Sequence, residues 1–246
     1  MAMEENGKNT ALLIIDMQKD FVTPGSPVCV HGSQSIVPSV IKAVDIARLR
    51  GILVVWVVRE HDSLGRDVEL FRRHMYSGKK TDPLVKGSKG AELVDGLVIT
   101  GNDYKLVKTR FSAFFGTNLH SFLQAADIKK LVVVGVQTPN CIRQTVFDAV
   151  ELDYQSVTVI VDATAAGSPE VHVGWTSDGT TTSISAQRLC TAIHLWYKEA
   201  ALVLKDYKPW TSNGSNRQHQ CLKTMHRPLL TKDYALRTCR GTNNYH

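Results

Sequence analysis

Four stretches of the chain are apolar without interruption: residues 11–15 (ALLII), 51–58 (GILVVWVV), 130–136 (KLVVVGV) and 157–161 (VTVIV). A strand buried on both faces reads as a continuous aliphatic run rather than an alternation, so these predict strands of a parallel sheet covered on two sides. Between them the period lengthens. Ile36, Val40, Ile41, Val44, Ala47 and Leu49 recur at helical spacing and Gly51 follows as a stop; residues 117–126 and 141–152 predict two further helices. Strand and helix in alternation imply right-handed crossovers and a doubly wound, mainly parallel α/β sheet with helices on both faces, whose ligands bind at the carboxyl ends of the strands.

Two segments break the alternation. Residues 61–81 are polar and helical only in part, and fit either a lid or a solvated surface connection. Beyond His172 the pattern weakens: residues 173–185 are turn-like, residues 186–207 predict one amphipathic helix, and residues 208–246 show little periodicity. The chain therefore divides into an α/β domain over residues 1–172 and an irregular basic C-terminal tail over 173–246, for which poor order is the expectation.

Charge sharpens that division. The net charge is +6 in 246 residues, yet residues 171–246 carry ten Lys and Arg against four Asp and Glu, so the rest of the chain is neutral. A neutral body with a basic tail is a poor match to a groove that tracks phosphates, and no nucleic-acid partner is expected. No apolar run approaches the roughly 20 residues needed to cross a bilayer, so no membrane partner is expected either. The polar segment 1–10 has no signal-peptide core, which makes a cytoplasmic location the expectation. Five widely spaced cysteines, with no C-x-x-C pair, describe neither a disulfide scaffold nor a structural zinc site.

Candidate chemistry gathers at strand ends. There is no G-x-G-x-x-G after the first strand, no P-loop and no G-x-S-x-G elbow, which disfavours dinucleotide, nucleotide and serine-hydrolase chemistry. Instead Asp16 ends the first strand, Lys108 ends a short apolar stretch over 104–107, and Cys141 follows the third long strand after Gln137-Thr138-Pro139-Asn140. In a doubly wound sheet these ends converge. A thiol at the start of the 141–152 helix is expected to favour thiolate, with Lys108 adding positive charge and Asp16 taking and returning a proton. Backbone N–H groups of the 137–141 turn would supply an oxyanion hole. Each residue also has a plainer use: a buried cysteine as a small hydrophobe, Asp16 as a turn residue, Lys108 as a solvated strand end.

Three motifs carry a resemblance. IDMQKDF at 15–21, KTRFSAF at 108–114 and GVQTPNCIRQTVFDA at 135–149 are similar, in that order, to the isochorismatase-like cysteine hydrolases, over residues 10 to about 172. The resemblance implies a Rossmann-like fold without a cofactor, a homo-oligomer, and a triad of Cys141 as nucleophile, Asp16 as base and Lys108 as electrostatic activator. It also implies a cis peptide bond at Val136-Gln137 and an oxyanion hole formed by the N–H groups of Gln137 and Cys141. Within the family, WVVREH at 56–61 and GRDVELFRRH at 65–74 look most like the ureidoacrylate amidohydrolase branch, whose members cleave a terminal ureido or carbamoyl C–N bond.

Arg59, Glu60, Arg66 and Arg110 are then candidates to bind a carboxylate or ureido group. The nicotinamidase branch carries an Asp/His metal cluster after the second strand, where this chain reads Arg59-Glu60-His61-Asp62, so no catalytic metal is expected. The sequence therefore predicts a cysteine-dependent hydrolase of a small amide or ureide. Its rival is a catalytically silent homologue with a binding or regulatory role.

Overall fold

A computed structural model describes residues 7–79, 82–176 and 182–184. The aliphatic runs are strands β1 (Thr10–Ile15), β2 (Leu53–Arg59), β4 (Lys130–Val136) and β5 (Ser156–Ala165), and the short stretch before Lys108 is β3 (Tyr104–Lys108). They pair in parallel in the order β3-β2-β1-β4-β5, and β6 (Thr182–Ile184) runs antiparallel along β5. The chain builds outward from β1 in both directions. β1 and β4 therefore flank the switch point where a doubly wound sheet opens its ligand crevice.

Both faces of the sheet are covered, which explains the uninterrupted apolar strands. Leu13 and Ile15 of β1 and Val55 and Val57 of β2 pack with Leu119 and Leu123 of α3 (Leu119–Ala125) and with Val146 and Ala149 of α4 (Arg143–Glu151). Leu12, Ile14, Val54 and Trp56 face the other way, onto Val40, Val44 and Ala47 of α2 (Val37–Leu49). The predicted stop at Gly51 is present with φ +65°, the left-handed turn that glycine adopts without a Cβ penalty. α1 (Lys19–Val22) is a single turn after β1, and α5 (Pro169–Thr176) follows β5 with the Ser168 hydroxyl accepting from the Val171 N–H. The expected helix over 186–207 lies outside the described residues.

The polar segment after β2 is helical only in part, as expected: its described residues contain one short 3-10 helix (Leu70–Met75). Two local expectations change. Residues 173–185, expected to be turn-like, include the end of α5 and strand β6. The helix expected from Cys141 begins only at Arg143, because Thr138–Ile142 form a turn of π-helix in which the Ile142 N–H reaches the Gln137 carbonyl, five residues back. Pro139 in that turn has no N–H with which to start an ordinary ladder.

Gly135 shows how tightly this end of the sheet is built. It has φ +111°, and a Cβ there would collide with the carbonyl oxygen of Ile15, the residue before Asp16. The register between β4 and β5 also shifts between Val133 and Gly135. Gly135→Ala would have to displace backbone rather than a side chain, so it should lower stability by roughly 2–4 kcal/mol. Urea unfolding measures this, and a loss under 1 kcal/mol would show that the strands can separate cheaply.

Candidate active site

Asp16 leaves β1 with φ +55°, a conformation Asp tolerates better than most side chains, while its N–H still bonds the Val57 carbonyl. β1 is thus held against β2 up to the point where the carboxylate turns into the crevice. Lys108, last residue of β3, meets it there: Nζ is 2.9 Å from Asp16 Oδ2 and also donates to the Arg110 carbonyl at 3.1 Å. The side chains are 1% and 0% exposed. Asp16 Oδ1 receives no N–H or O–H, which leaves it as the oxygen available to a thiol proton.

Cys141 comes from the other side of the switch point, on the π-turn after β4, and is 5% exposed. The turn begins at a cis Val136-Gln137 bond. Its carbonyl side is fixed by Thr145, whose hydroxyl donates to the Cys141 carbonyl at 2.7 Å and accepts from the Ala113 N–H at 3.0 Å. A further bond, Thr138 Oγ1 to His172 Nδ1 at 3.0 Å, ties the turn to α5. The three predicted catalytic residues, 125 positions apart in sequence at the extremes, therefore meet.

Their charge state differs from the expectation. Burial pushes the Cys141 thiol up, and the negative charge of Asp16 pushes it further; Lys108 and Arg59 pull it down without overcoming them. Cys141 therefore rests as a thiol rather than the expected thiolate. A helix N-terminus favours thiolate only while the group stays solvated or lacks a facing anion, and neither holds here. The arrangement suits a base that removes the thiol proton as attack occurs, with Lys108 holding the carboxylate in place.

A family model for the isochorismatase domain matches residues 10–176, more than half of the sequence. The chain belongs to the isochorismatase family. A protein of Arabidopsis thaliana called a probable inactive nicotinamidase is 61% identical over 200 residues, 81% of this chain and 100% of its own length. A match of that length reaches past residue 172, into the segment read from sequence as an atypical tail. Among solved structures, an isochorismatase family protein from Desulfovibrio vulgaris is 43% identical, with a TM-score of 0.64 over 68% of this chain and 86% of its own. A cysteine hydrolase from Pseudomonas syringae is 26% identical, with a TM-score of 0.60 over 74% and 82%.

On this isochorismatase framework the four expected substrate-binding residues separate. Arg59 is in the site: its Nη2 lies 3.7 Å from Cys141 Sγ and its Nη1 3.3 Å from Glu69 Oε1. Glu60 is not, because neighbours on a strand point to opposite faces; it receives Lys105 Nζ at 2.6 Å. Arg66 is also outside, with a side chain 71% exposed and 3.7 Å from Asp62. Arg110 contributes a carbonyl to Lys108, but its guanidinium is spent on the carbonyls of Asp67 and Thr109.

Residues not singled out as site residues take those places. Gln18, fully buried and within the first motif, bonds both the N–H and carbonyl of Arg59 at 2.7 Å and the Ala91 carbonyl at 2.8 Å, so it acts as one more rung between β1 and β2. Glu69, Arg72 and Phe111 surround the Arg59 guanidinium. The available signal was the Glu69/Arg72 pair at i,i+3 inside the GRDVELFRRH run.

The metal that the nicotinamidase branch implies does not fit these residues. His61 is buried with neither ring nitrogen hydrogen-bonded, but burial and then the charge of Arg59 push it down to about 4. A cation bound to that ring would face the same guanidinium that already opposes its protonation. Among the described residues no three His, Cys, Asp or Glu side chains are grouped to hold a metal ion. Nor is any described helix long and apolar enough to cross a membrane.

Proposed function

We propose that this chain is a cysteine hydrolase that cleaves a C–N bond of a small amide or ureide through a covalent acyl-enzyme on Cys141. The observation that carries the reading is the buried Asp16–Lys108 pair at 2.9 Å, set against a thiol that burial and the same Asp16 keep protonated. Asp16 takes the thiol proton as Sγ attacks the carbonyl carbon. The C–N bond then breaks, the proton passes from Asp16 to the departing nitrogen, and a thioester remains. Asp16, again a base, deprotonates the water that releases the acid and restores the thiol. The N–H groups of Gln137 and Cys141 take the oxyanion in both steps.

Two observations favour a ureide over other amides. The sequence at 56–61 and 65–74 resembles the ureidoacrylate branch, and among the described residues no side-chain group matches the metal set of the nicotinamidase pattern. The Arabidopsis relative is named a probable inactive nicotinamidase, which supports a silent homologue as the second reading but is equally met by a hydrolase of a different amide. Our reading also takes the protein as a cytoplasmic homo-oligomer, which light scattering and fractionation would test.

Ammonia release from ureidoacrylate, other carbamoyl compounds and nicotinamide, with mass spectrometry of the Cys141 peptide during turnover, decides between the two. A carbonyl adduct on Cys141 and preferred turnover of a ureide are expected. Full-length folded protein that releases no ammonia and acquires no adduct with any of them would overturn the hydrolase in favour of the silent homologue.

A further inference from the structure

The two ends of the π-turn that carries Cys141 are held by different means. Thr145 fixes the C-terminal end, bonding the Cys141 carbonyl at 2.7 Å and the Ala113 N–H at 3.0 Å. At the N-terminal end Thr138 is fully buried, and its hydroxyl meets Nδ1 of His172, on α5, at 3.0 Å. Thr138 directly follows Gln137, whose N–H is one of the two assigned to the oxyanion, and the next residue, Pro139, has no N–H with which to anchor the turn. The hydrolytic steps drawn above make no use of His172.

The same ring also reaches β5, where the sheet is irregular. β5 advances from Val159 to Thr164 while β4 advances only from Val133 to Gly135, so residues 160–163 stand between the pairings as a bulge. Bulges of this kind re-aim groups beside sites. The Val161 carbonyl in the bulge accepts from the Thr164 hydroxyl at 3.0 Å and from the His172 ring. A carbonyl takes only a ring N–H, whereas the Thr138 hydroxyl can donate or accept and so meets whichever role Nδ1 has. Burial lowers the ring more than the Val161 carbonyl raises it, which leaves it neutral near neutral pH. The ring is delivered from the first turn of α5, since the His172 N–H bonds the Ser168 carbonyl at 3.1 Å.

We propose that His172 is a positioning residue for the reaction at Cys141: set between the bulge of β5 and the π-turn, its imidazole fixes the Thr138 hydroxyl and thereby the aim of the neighbouring Gln137 N–H at the oxyanion. The inference rests on the hydrolase reading and adds to it a residue that touches neither substrate nor thiol. An oxyanion donor stabilises the transition state only when it already points to where charge develops, so a small displacement of the turn is costly to the chemical step.

The test uses the full-length protein and acetaldehyde, a probe that reports the oxyanion hole without turnover. Sγ adds to the aldehyde carbon, the C=O pair moves onto oxygen, and the thiol proton passes through Asp16 to that oxygen, giving a hemithioacetal with no leaving group. NMR of isotope-labelled acetaldehyde, with Cys141→Ala as the blank, gives its affinity. Alkylation of the Cys141 peptide by iodoacetamide is the control, because displacement of iodide needs no oxyanion hole. In His172→Phe, which keeps a ring of similar bulk, aldehyde affinity and kcat for ammonia release should fall about 10- to 100-fold, with KM and the alkylation rate within about three-fold. His172→Asn, which restores a polar group near the place of Nδ1, should recover part of the loss. Thr138→Val should match His172→Phe, and the double variant should lose little more than either alone. Thermal unfolding identifies any variant that is not folded, and Thr138→Val carries the test alone if His172→Phe is one. Unchanged aldehyde affinity in the folded variants, no hemithioacetal on Cys141 of the unmodified protein, additive losses, or an equal loss of alkylation overturns the proposal. A hemithioacetal weakened as expected, in a protein that hydrolyses none of the amides, keeps the positioning role and overturns the hydrolase reading.

Discussion

Asp16→Asn and Cys141→Ala should both reduce ammonia release to background, a loss on the order of 10³-fold or more, because neither the base nor the nucleophile has a nearby substitute. Alkylation of Cys141 by iodoacetamide in Asp16→Asn should nevertheless accelerate near neutral pH. The reason is the sign of each neighbour's effect. Burial, the charge of Asp16 and its hydrogen bond raise the thiol, whereas Lys108 and Arg59 lower it. Removing Asp16 deletes two of the three raising effects and leaves both cations, so the thiolate fraction increases. Turnover falls all the same, since the proton then has no carrier to the leaving nitrogen. The rate must be read on the Cys141 peptide, because Cys29 is an exposed thiol. Slower alkylation in Asp16→Asn would mean that Asp16 promotes the resting thiolate, and the base mechanism drawn above would have to be abandoned.

The second large effect concerns stability. Lys108→Met removes the partner of a carboxylate whose side chain is 1% exposed, and should cost about 3–5 kcal/mol, because the remaining charge is buried without compensation. Adding Asp16→Asn to Lys108→Met should recover a substantial part of that loss, since removing both charges also removes the cost of desolvating them. Urea unfolding of the two single variants and the double variant forms the required cycle. If the double variant is no more stable than Lys108→Met alone, lost packing by the lysine stem, and not the orphaned charge, explains the effect.

Much of the fold was legible because its signal is local. The aliphatic runs at 11–15, 51–58, 130–136 and 157–161 became strands within a few residues of their expected bounds, and the helical period over 36–50 became α2. A strand covered on both faces needs apolar side chains on both, and that requirement is written into consecutive residues. The helix predicted from Cys141 was less legible. Whether a chain with Pro at its second position enters a π-turn or an α-helix depends on where the Gln137 carbonyl is held, and the preceding strand settles that.

For the site, the motifs at 15–21, 108–114 and 135–149 located Asp16, Lys108 and Cys141, and the structure brings them together. The surrounding polar residues were harder to sort. Arg59 and Glu60 are adjacent and equally charged in magnitude, yet one reaches Cys141 and the other Lys105. Strand alternation sends Arg59 to the same face as Val55 and Val57, but which face lines the crevice depends on the packed helices. Arg110 is lost to backbone carbonyls, while Glu69 and Arg72 come from an irregular segment whose path no periodicity predicts.

The sequence by itself determined the α/β alternation and the family, and it singled out the acid, lysine and thiol that the structure brings together, since each is carried by short contiguous runs. Only the tertiary structure decided that the thiol rests protonated, that His61 is neutral beside Arg59, and that two guanidinium groups share one glutamate. Those properties are sums of burial and charge over residues 16, 59, 69, 72, 108 and 141, and electrostatic energy depends on distance in space and on exclusion of water, neither of which separation along the chain encodes.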